Sequence, residues 1–162
     1  MKLTVWGVRG SIPTPGKHTV RYGGNTPCLE LRLDDDNLII LDAGTGIRNF
    51  GDHLINNGES VDAYLLITHP HWDHIQGFPF FKPAFISGNE LTIYGTERTE
   101  KSLSEIISEQ MNRIYFPVQL HELKAKLNFM PIKEEGEMKI YGCTVRTLYV
   151  NHPGFTVGYR IE

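Results

Sequence analysis

The sequence predicts an α/β layered fold, and three observations carry that prediction. Short apolar runs of strand character alternate with segments whose apolar residues recur at helical spacing. One run, Ala63-Tyr64-Leu65-Leu66-Ile67, is continuously apolar, as a strand covered on both faces should be. Three runs close on polar side chains suited to a metal site, at Asp42, at His69 and at Asn151-His152. Functional groups gathered at the carboxyl ends of strands are what a layered α/β sheet produces.

Composition bounds what such a fold can do. A chain of 162 residues with 40% hydrophobic, 22% charged and 10% aromatic content describes a single globular domain, 1–162, with a real core. The formal net charge of -3 supplies no basic footprint, so nucleic acid as a partner is not supported by charge, while phosphate chemistry through metal ions stays open. Cys28 and Cys143 stand far apart in no C-x-x-C spacing and read as reduced thiols. The first residues do not form a signal h-region, and no apolar run approaches the roughly 20 residues of a membrane span. A soluble cytoplasmic protein is the expectation.

In chain order, Leu3 to Val8 is strand-like, and Gly10 to Gly24 is a loop punctuated by Pro13, Pro15 and glycines. Loops of this length carry function or move. This one holds or adjoins Arg9, Ser11, His18, Arg21, Tyr22 and Asn25, and an active-site role stands beside a solvated excursion as its two readings. Cys28 to Leu33 and Leu38 to Leu41 are strands around Asp34-Asp35-Asp36-Asn37. That acidic turn lacks the spacing and glycine of a calcium loop and reads as solvated. Asp42-Ala43-Gly44-Thr45-Gly46 opens a helix with Ile47, Phe50, Leu54 and Ile55 at helical spacing; its glycines suggest tight packing, with contact to an anionic substrate as the alternative, rather than a dinucleotide site. Asp42 is costly to bury unpaired, so a nearby amide, hydroxyl or imidazole should donate to it.

The run ending at Ile67 delivers Thr68-His69-Pro70-His71-Trp72-Asp73-His74, which places four potential ligands within six residues. Imidazole nitrogen and carboxylate oxygen suit Zn, Mn or Fe. Pro70 biases His69 toward an extended conformation, so His69 and His71 can face one site. A helical turn starting at Trp72 sends Asp73 and His74 in a new direction, toward a second site; two-metal hydrolytic centres separate their ions by roughly 3.5–4 Å. His18, His53 and His121 read as surface or structural residues. Phe78 to Phe85 is an aromatic, proline-punctuated packed loop or pocket wall. Leu91 to Tyr94 is a short strand. Thr96 reads as the N-cap of a helix with Glu97 and Glu100 in its first turn and Leu103, Ile106, Ile107 and Met111 on one face, ending at Ile114-Tyr115-Phe116-Pro117-Val118 near the site. Leu127 to Met130, Met138 to Tyr141, Cys143 to Val150 and Phe155 to Ile161 are the remaining strands.

The H-x-H-x-D-H run at His69 to His74 resembles the signature of the metallo-β-lactamase superfamily. Arg9-Gly10-Ser11-Ile12-Pro13, Arg21-Tyr22-Gly23-Gly24-Asn25-Thr26, Leu41-Asp42-Ala43-Gly44-Thr45-Gly46, Phe116-Pro117-Val118 and Asn151-His152-Pro153-Gly154 are similar to its phosphodiesterase branch, which includes cyclic-nucleotide phosphodiesterases and, more distantly, tRNA 3′-processing endonucleases. The resemblance implies an αββα sandwich. His69, His71 and His152 would hold a first divalent metal, zinc foremost with Mn or Fe as alternatives, and Asp73 with His74 would begin a second site. Asp73 would also orient the attacking hydroxide, with Arg9, Asn25 or Asn151 stabilising developing charge.

The family adds a bridging aspartate and a final histidine after His152. The last aspartate here is Asp73 and the last histidine is His152, so the expectation is the N-terminal portion of the fold, incomplete at its C-terminal end. The implied function is metal-dependent phosphodiester hydrolysis on a small phosphodiester or nucleotide, with low or absent activity in the isolated chain unless another chain completes the second site. Hydrolysis of thioesters or lactams, and a metal-binding module without catalysis, are the alternatives. An exposed strand edge and uncovered apolar face make self-association an expectation too.

Overall fold

Strand pairing divides the chain between two sheets. In the computed structural model, which describes residues 1–96, 100–133 and 135–162, β1 (Lys2–Gly7), β2 (Cys28–Arg32), β3 (Leu38–Leu41), β4 (Asp62–Leu66), β5 (Glu90–Thr96) and β6 (Lys126–Ile132) lie side by side in that order. The first three run antiparallel as a meander, and β3 to β6 run parallel. Parallel neighbours need crossovers. These are supplied by α1 (Gly46–Asn56), by the single turn α2 (Trp72–Ile75) with two 3₁₀ turns at Phe78–Phe80 and Lys82–Phe85, and by α3 (Leu103–Gln110). A smaller antiparallel sheet follows, β7 (Gly136–Ile140), β8 (Cys143–Val150) and β9 (Thr156–Ile161).

Side-chain alternation explains the stacking. Successive strand residues face opposite sides of a sheet. From β3, Leu38 and Ile40 join Ala63 and Leu65 of β4 and Ile47, Phe50 and Leu54 of α1 in one buried cluster; Ile39 and Leu66 face the other way and meet Ile140 and Val145 of the small sheet. The layers are therefore helices, six strands and three strands. Tyr64 packs edge-on against Tyr141 at 4.9 Å between ring centres, across the seam of the two sheets.

Most elements fall where the sequence placed them, with two corrections. Thr96 is the last residue of β5, and the N-cap of α3 is Ser102, whose hydroxyl accepts the Glu105 amide while the Glu105 carboxylate accepts the Ser102 amide. The first-turn role expected of Glu97 lies outside the described residues. β6 runs on to Ile132 through Pro131, which the edge position of this strand tolerates. Cys28 and Cys143 are free thiols, and no described helix is long and apolar enough to cross a membrane.

Candidate metal centre

Because β3 and β4 run parallel with Leu41 beside Leu66, the chain leaving one meets the chain leaving the other. Asp42 adopts a left-handed conformation, φ 61°, which Asp tolerates better than most residues with a side chain. Its amide donates to the Leu66 carbonyl at 3.0 Å, and its carboxylate, buried at 6% exposure, turns into the motif. Oδ1 accepts from the Thr68 amide at 2.8 Å and the Thr68 hydroxyl at 3.0 Å. Oδ2 lies 2.8 Å from His74 Nδ1. The amide, hydroxyl and imidazole donors expected for this carboxylate are all present.

This network fixes the protons. An ionised carboxylate only accepts, so the Thr68 hydroxyl and His74 Nδ1 both donate to Asp42. With its proton committed, the Thr68 oxygen accepts from His69 Nδ1, 3.0 Å away. In its neutral form each ring is thereby left with Nε2 carrying a lone pair. Burial and then the neighbouring imidazoles of His74, His71 and His152 push the His69 pKa down to about 4, keeping the neutral form that binds metals. Burial also opposes charge on His74, but the hydrogen bond and charge of Asp42 outweigh it and hold that ring above its ordinary pKa.

His69, His71 and His152 converge. Each offers a ring nitrogen, and these atoms lie within 4.8 Å of one another, His69 buried as the floor and the other two exposed. His71 reaches the site as the extended N-cap of α2. His152 arrives from the other sheet, in the turn after β8. That turn is held in place from its far side, where the Val157 amide donates to the Thr68 carbonyl at 2.9 Å and the Tyr159 hydroxyl to the Ile67 carbonyl at 2.7 Å. Three imidazoles, one buried and two reaching from solvent, fit a divalent cation with an open position.

Asp73 and His74 form a second grouping beside the first. Asp73 Oδ2 stands 3.5 Å from His74 Nε2, and the His74 ring is 4.1 Å from that of His69. The long loop reaches this point, since the Ser11 amide donates to Asp73 Oδ2 at 2.8 Å from a left-handed backbone, φ 68°. Asn25 has two anchoring tasks. Its carbonyl accepts the Val8 and Arg9 amides at 3.1 and 2.9 Å, and its side-chain oxygen accepts the Thr45 hydroxyl at 3.2 Å. Arg9 and Asn151 are exposed. Among the described residues, the hydrogen bonds of the motif's carboxylate and ring atoms run to Ser11, Asp42 and Thr68, and none runs to Arg9 or Asn151. His18 and His121 are exposed, and His53 packs on Trp6, all apart from the cluster.

Residues 37–162 match the profile described as the Beta-lactamase superfamily domain. The chain belongs to the beta-lactamase superfamily. A protein named ribonuclease Z from Staphylococcus carnosus is 28% identical to it over 169 residues, 100% of this chain and 49% of that protein. Another so named, from Methanococcus maripaludis, is 30% identical over 135 residues, 78% of this chain and 39% of that one. The chain spans about half the length, or less, of these curated relatives. Among solved structures, the metallo-β-lactamase fold protein YhfI from Bacillus subtilis aligns with TM-score 0.66 at 17% identity, over 99% of this chain and 56% of that one. Zn(2+)-bound PqqB from Methylobacterium extorquens aligns with TM-score 0.65 at 16% identity, over 100% and 59%. These likenesses show the fold: the chain has the metallo-β-lactamase fold and corresponds to its N-terminal portion.

Within this superfamily fold, two positioning groups escaped the sequence reading. Thr68 was readable, as a hydroxyl directly before the first motif histidine. Tyr159 carried no signal, because its partner Ile67 directly follows a strand of the other sheet. Gly44 and Gly77 belong to the same seat. A methyl group on Gly44 would come 2.2 Å from the Asp73 carbonyl oxygen, and one on Gly77 would come 2.0 Å from the Gly44 oxygen. The tight packing expected of the first of these glycines is what the backbone requires.

Proposed function

We propose that the site is a metal-dependent hydrolytic centre acting on phosphodiester bonds, in RNA or in a smaller nucleotide. The observation that carries this reading is the convergence of His69, His71 and His152, with donor atoms within 4.8 Å of one another. These residues would hold the first cation, with zinc the first choice and Mn or Fe also suited to the donor set. Asp73 and His74 would contribute to a second. A bound divalent cation supplies Lewis-acid polarisation of a phosphoryl oxygen and acidifies a bound water.

The chain's own residues do the positioning. Asp42 and Thr68 hold His69 and His74 with Nε2 outward. The Ser11 amide fixes one oxygen of Asp73, and the carboxylate accepts a proton of the attacking water, orienting its lone pair toward phosphorus. Arg9 from the loop, the Asn25 side-chain amide and Asn151 beside His152 are the donors for charge developing on the phosphoryl oxygens. Support for phosphorus over carbonyl carbon as the reacting centre comes from the relatives named ribonuclease Z.

The test loads the purified chain with Zn or Mn and offers bis-p-nitrophenyl phosphate. Turnover is expected to be weak, because the second grouping has two ligands, and to disappear in His71→Ala together with bound metal. The first grouping has three ligands and the second has two, so metal analysis should find nearer one equivalent than two per chain. Full metal loading without turnover on any phosphodiester would instead leave a binding module without catalysis, and turnover of thioesters or lactams alone would move the reaction to carbonyl carbon.

A further inference from the structure

The motif also forms one end of a cleft that the chemistry above does not use. Pro70 and Trp72, on either side of His71, line a depression of about 680 Å³ whose far wall is built by Phe80, Tyr115 and Phe116. Its aromatic lining is unusually open to solvent. Trp72 is 79% exposed, Tyr115 78% and Phe80 52%. A soluble protein has no folding reason to hold large aromatic rings in water, and such rings clustered beside a site mark a binding surface.

Two of the rings pack on each other, and the backbone that carries the other two is tied down. Phe80 and Phe116 meet edge to face at 5.4 Å. Tyr115 follows α3 in a turn tied by Asn112, whose carbonyl accepts the Tyr115 and Phe116 amides at 2.8 Å each and whose side chain accepts the Ile114 amide at 3.0 Å. Trp72 is fixed at the first position of α2.

Charge narrows the occupant. The loop that donates the Ser11 amide to Asp73 carries Arg9, Lys17 and Arg21, and no carboxylate occurs before Glu30 in a chain of net charge -3. Arg21 itself lies over the ring of Tyr22 at 5.0 Å. The cleft's own lining carries one carboxylate, Glu109, which is paired with Lys101; a cationic, carboxylate-free segment and a wall of exposed rings, both attached to the same motif, then suit a ligand with an anionic backbone and flat faces.

We propose that this cleft is a nucleobase-stacking subsite, which takes an unpaired base next to the scissile phosphodiester of a single-stranded nucleic acid. The inference rests on the phosphodiester reading of the histidine centre. Trp72 and Tyr115 supply the stacking faces, and Arg9, Lys17 and Arg21 steer the backbone.

Trp72 makes the test direct, because the chain's other tryptophan, Trp6, packs against Phe50 in the core. The chain is titrated with a short single-stranded oligonucleotide and with an abasic oligomer of equal length and charge, following tryptophan fluorescence at fixed salt. Quenching by the base-containing strand is expected, with binding tighter than the abasic strand by roughly fivefold to a hundredfold, the range of one stacked base. Trp72→Ala and Tyr115→Ala, read by the anisotropy of end-labelled strands because the first substitution removes the reporting fluorophore, should each remove most of that difference, and Trp72→Phe, read the same way, should restore part of it. Equal binding of the two oligomers would overturn the inference, as would an occupant of another kind, shown by sedimentation as a dimer that Trp72→Ala dissociates. Because no turnover is read, the two proposals fail separately. Stacking without hydrolysis would sink the catalytic reading, and hydrolysis of bis-p-nitrophenyl phosphate without stacking would sink this one.

Discussion

Replacing Asp42 by Asn keeps the side chain's shape and exchanges an acceptor oxygen for an amide that only donates. Three donors meet this carboxylate, from the Thr68 amide, the Thr68 hydroxyl and His74 Nδ1. One of them must then face another donor, and the proton order that turns Nε2 of His69 and His74 outward is lost. Removing such an orienting partner typically weakens metal binding 10–100-fold. Asp42→Asn should therefore lose zinc affinity by roughly that factor in chelator competition, with the folded circular-dichroism spectrum kept; parental affinity would show that Asp42 does not set the ring orientation. At this scale the sequence was informative, since a carboxylate closing an apolar strand announces its need for donors. What it withheld was the identity of those donors. Thr68 and His74 are separated from Asp42 by a helix and a strand, and only the parallel register of β3 and β4 brings them together.

At the scale of elements, α2 is too short to hold itself and depends on its seat. The Ala43 amide donates to the His74 carbonyl at 2.7 Å, the Gly77 amide to the Ala43 carbonyl at 2.9 Å, and Gly44 passes directly against Asp73. Gly44→Ala would place a methyl group on backbone oxygen rather than on a yielding side chain, so the loop and α2 must separate. Overpacking of this kind costs roughly 1–3 kcal/mol. The expected outcome is a lowered denaturant midpoint together with weakened metal binding, because His71, Asp73 and His74 move with the turn. A lowered midpoint with unchanged metal affinity would show the seat to be merely structural. Element types were legible from period and punctuation, while boundaries followed tertiary pairing. Thr96 resembles an N-cap locally, yet β6 draws it into β5 by pairing it with Ile132. The true cap, Ser102 with Glu105 three residues later, carries its own sequence signature.

Across the whole molecule, the two sheets are joined by apolar packing and by hydroxyl groups whose protons the fold retains. Burial raises the Cys28 thiol well above its ordinary value of 9.0. Burial, followed by the charge of Asp42, raises the Tyr159 phenol well above 10.0. Burial pushes Tyr141, beside Asp62, up to about 12. Cys28 lies under α1, Tyr141 spans the seam and Tyr159 ties the small sheet to the motif, so the same groups report on both interfaces. The sign follows from the proton count. Below pH 9 both folded and unfolded chains hold these protons, and their stabilising effect is fully present. As pH rises past 9 and then 10, the unfolded chain releases protons that the folded chain keeps, and stability falls. For the fully buried Cys28 the decline is about 1.4 kcal/mol per pH unit once the unfolded thiol is ionised. Unfolding midpoints measured from pH 7 to 11 should stay level to about 9 and then drop. Cys28→Ala should move the onset toward 10, where the tyrosines alone remain. A midpoint level through pH 11, or an onset unchanged in Cys28→Ala, would show that these buried hydroxyl and thiol groups ionise as freely in the folded protein as in the unfolded chain.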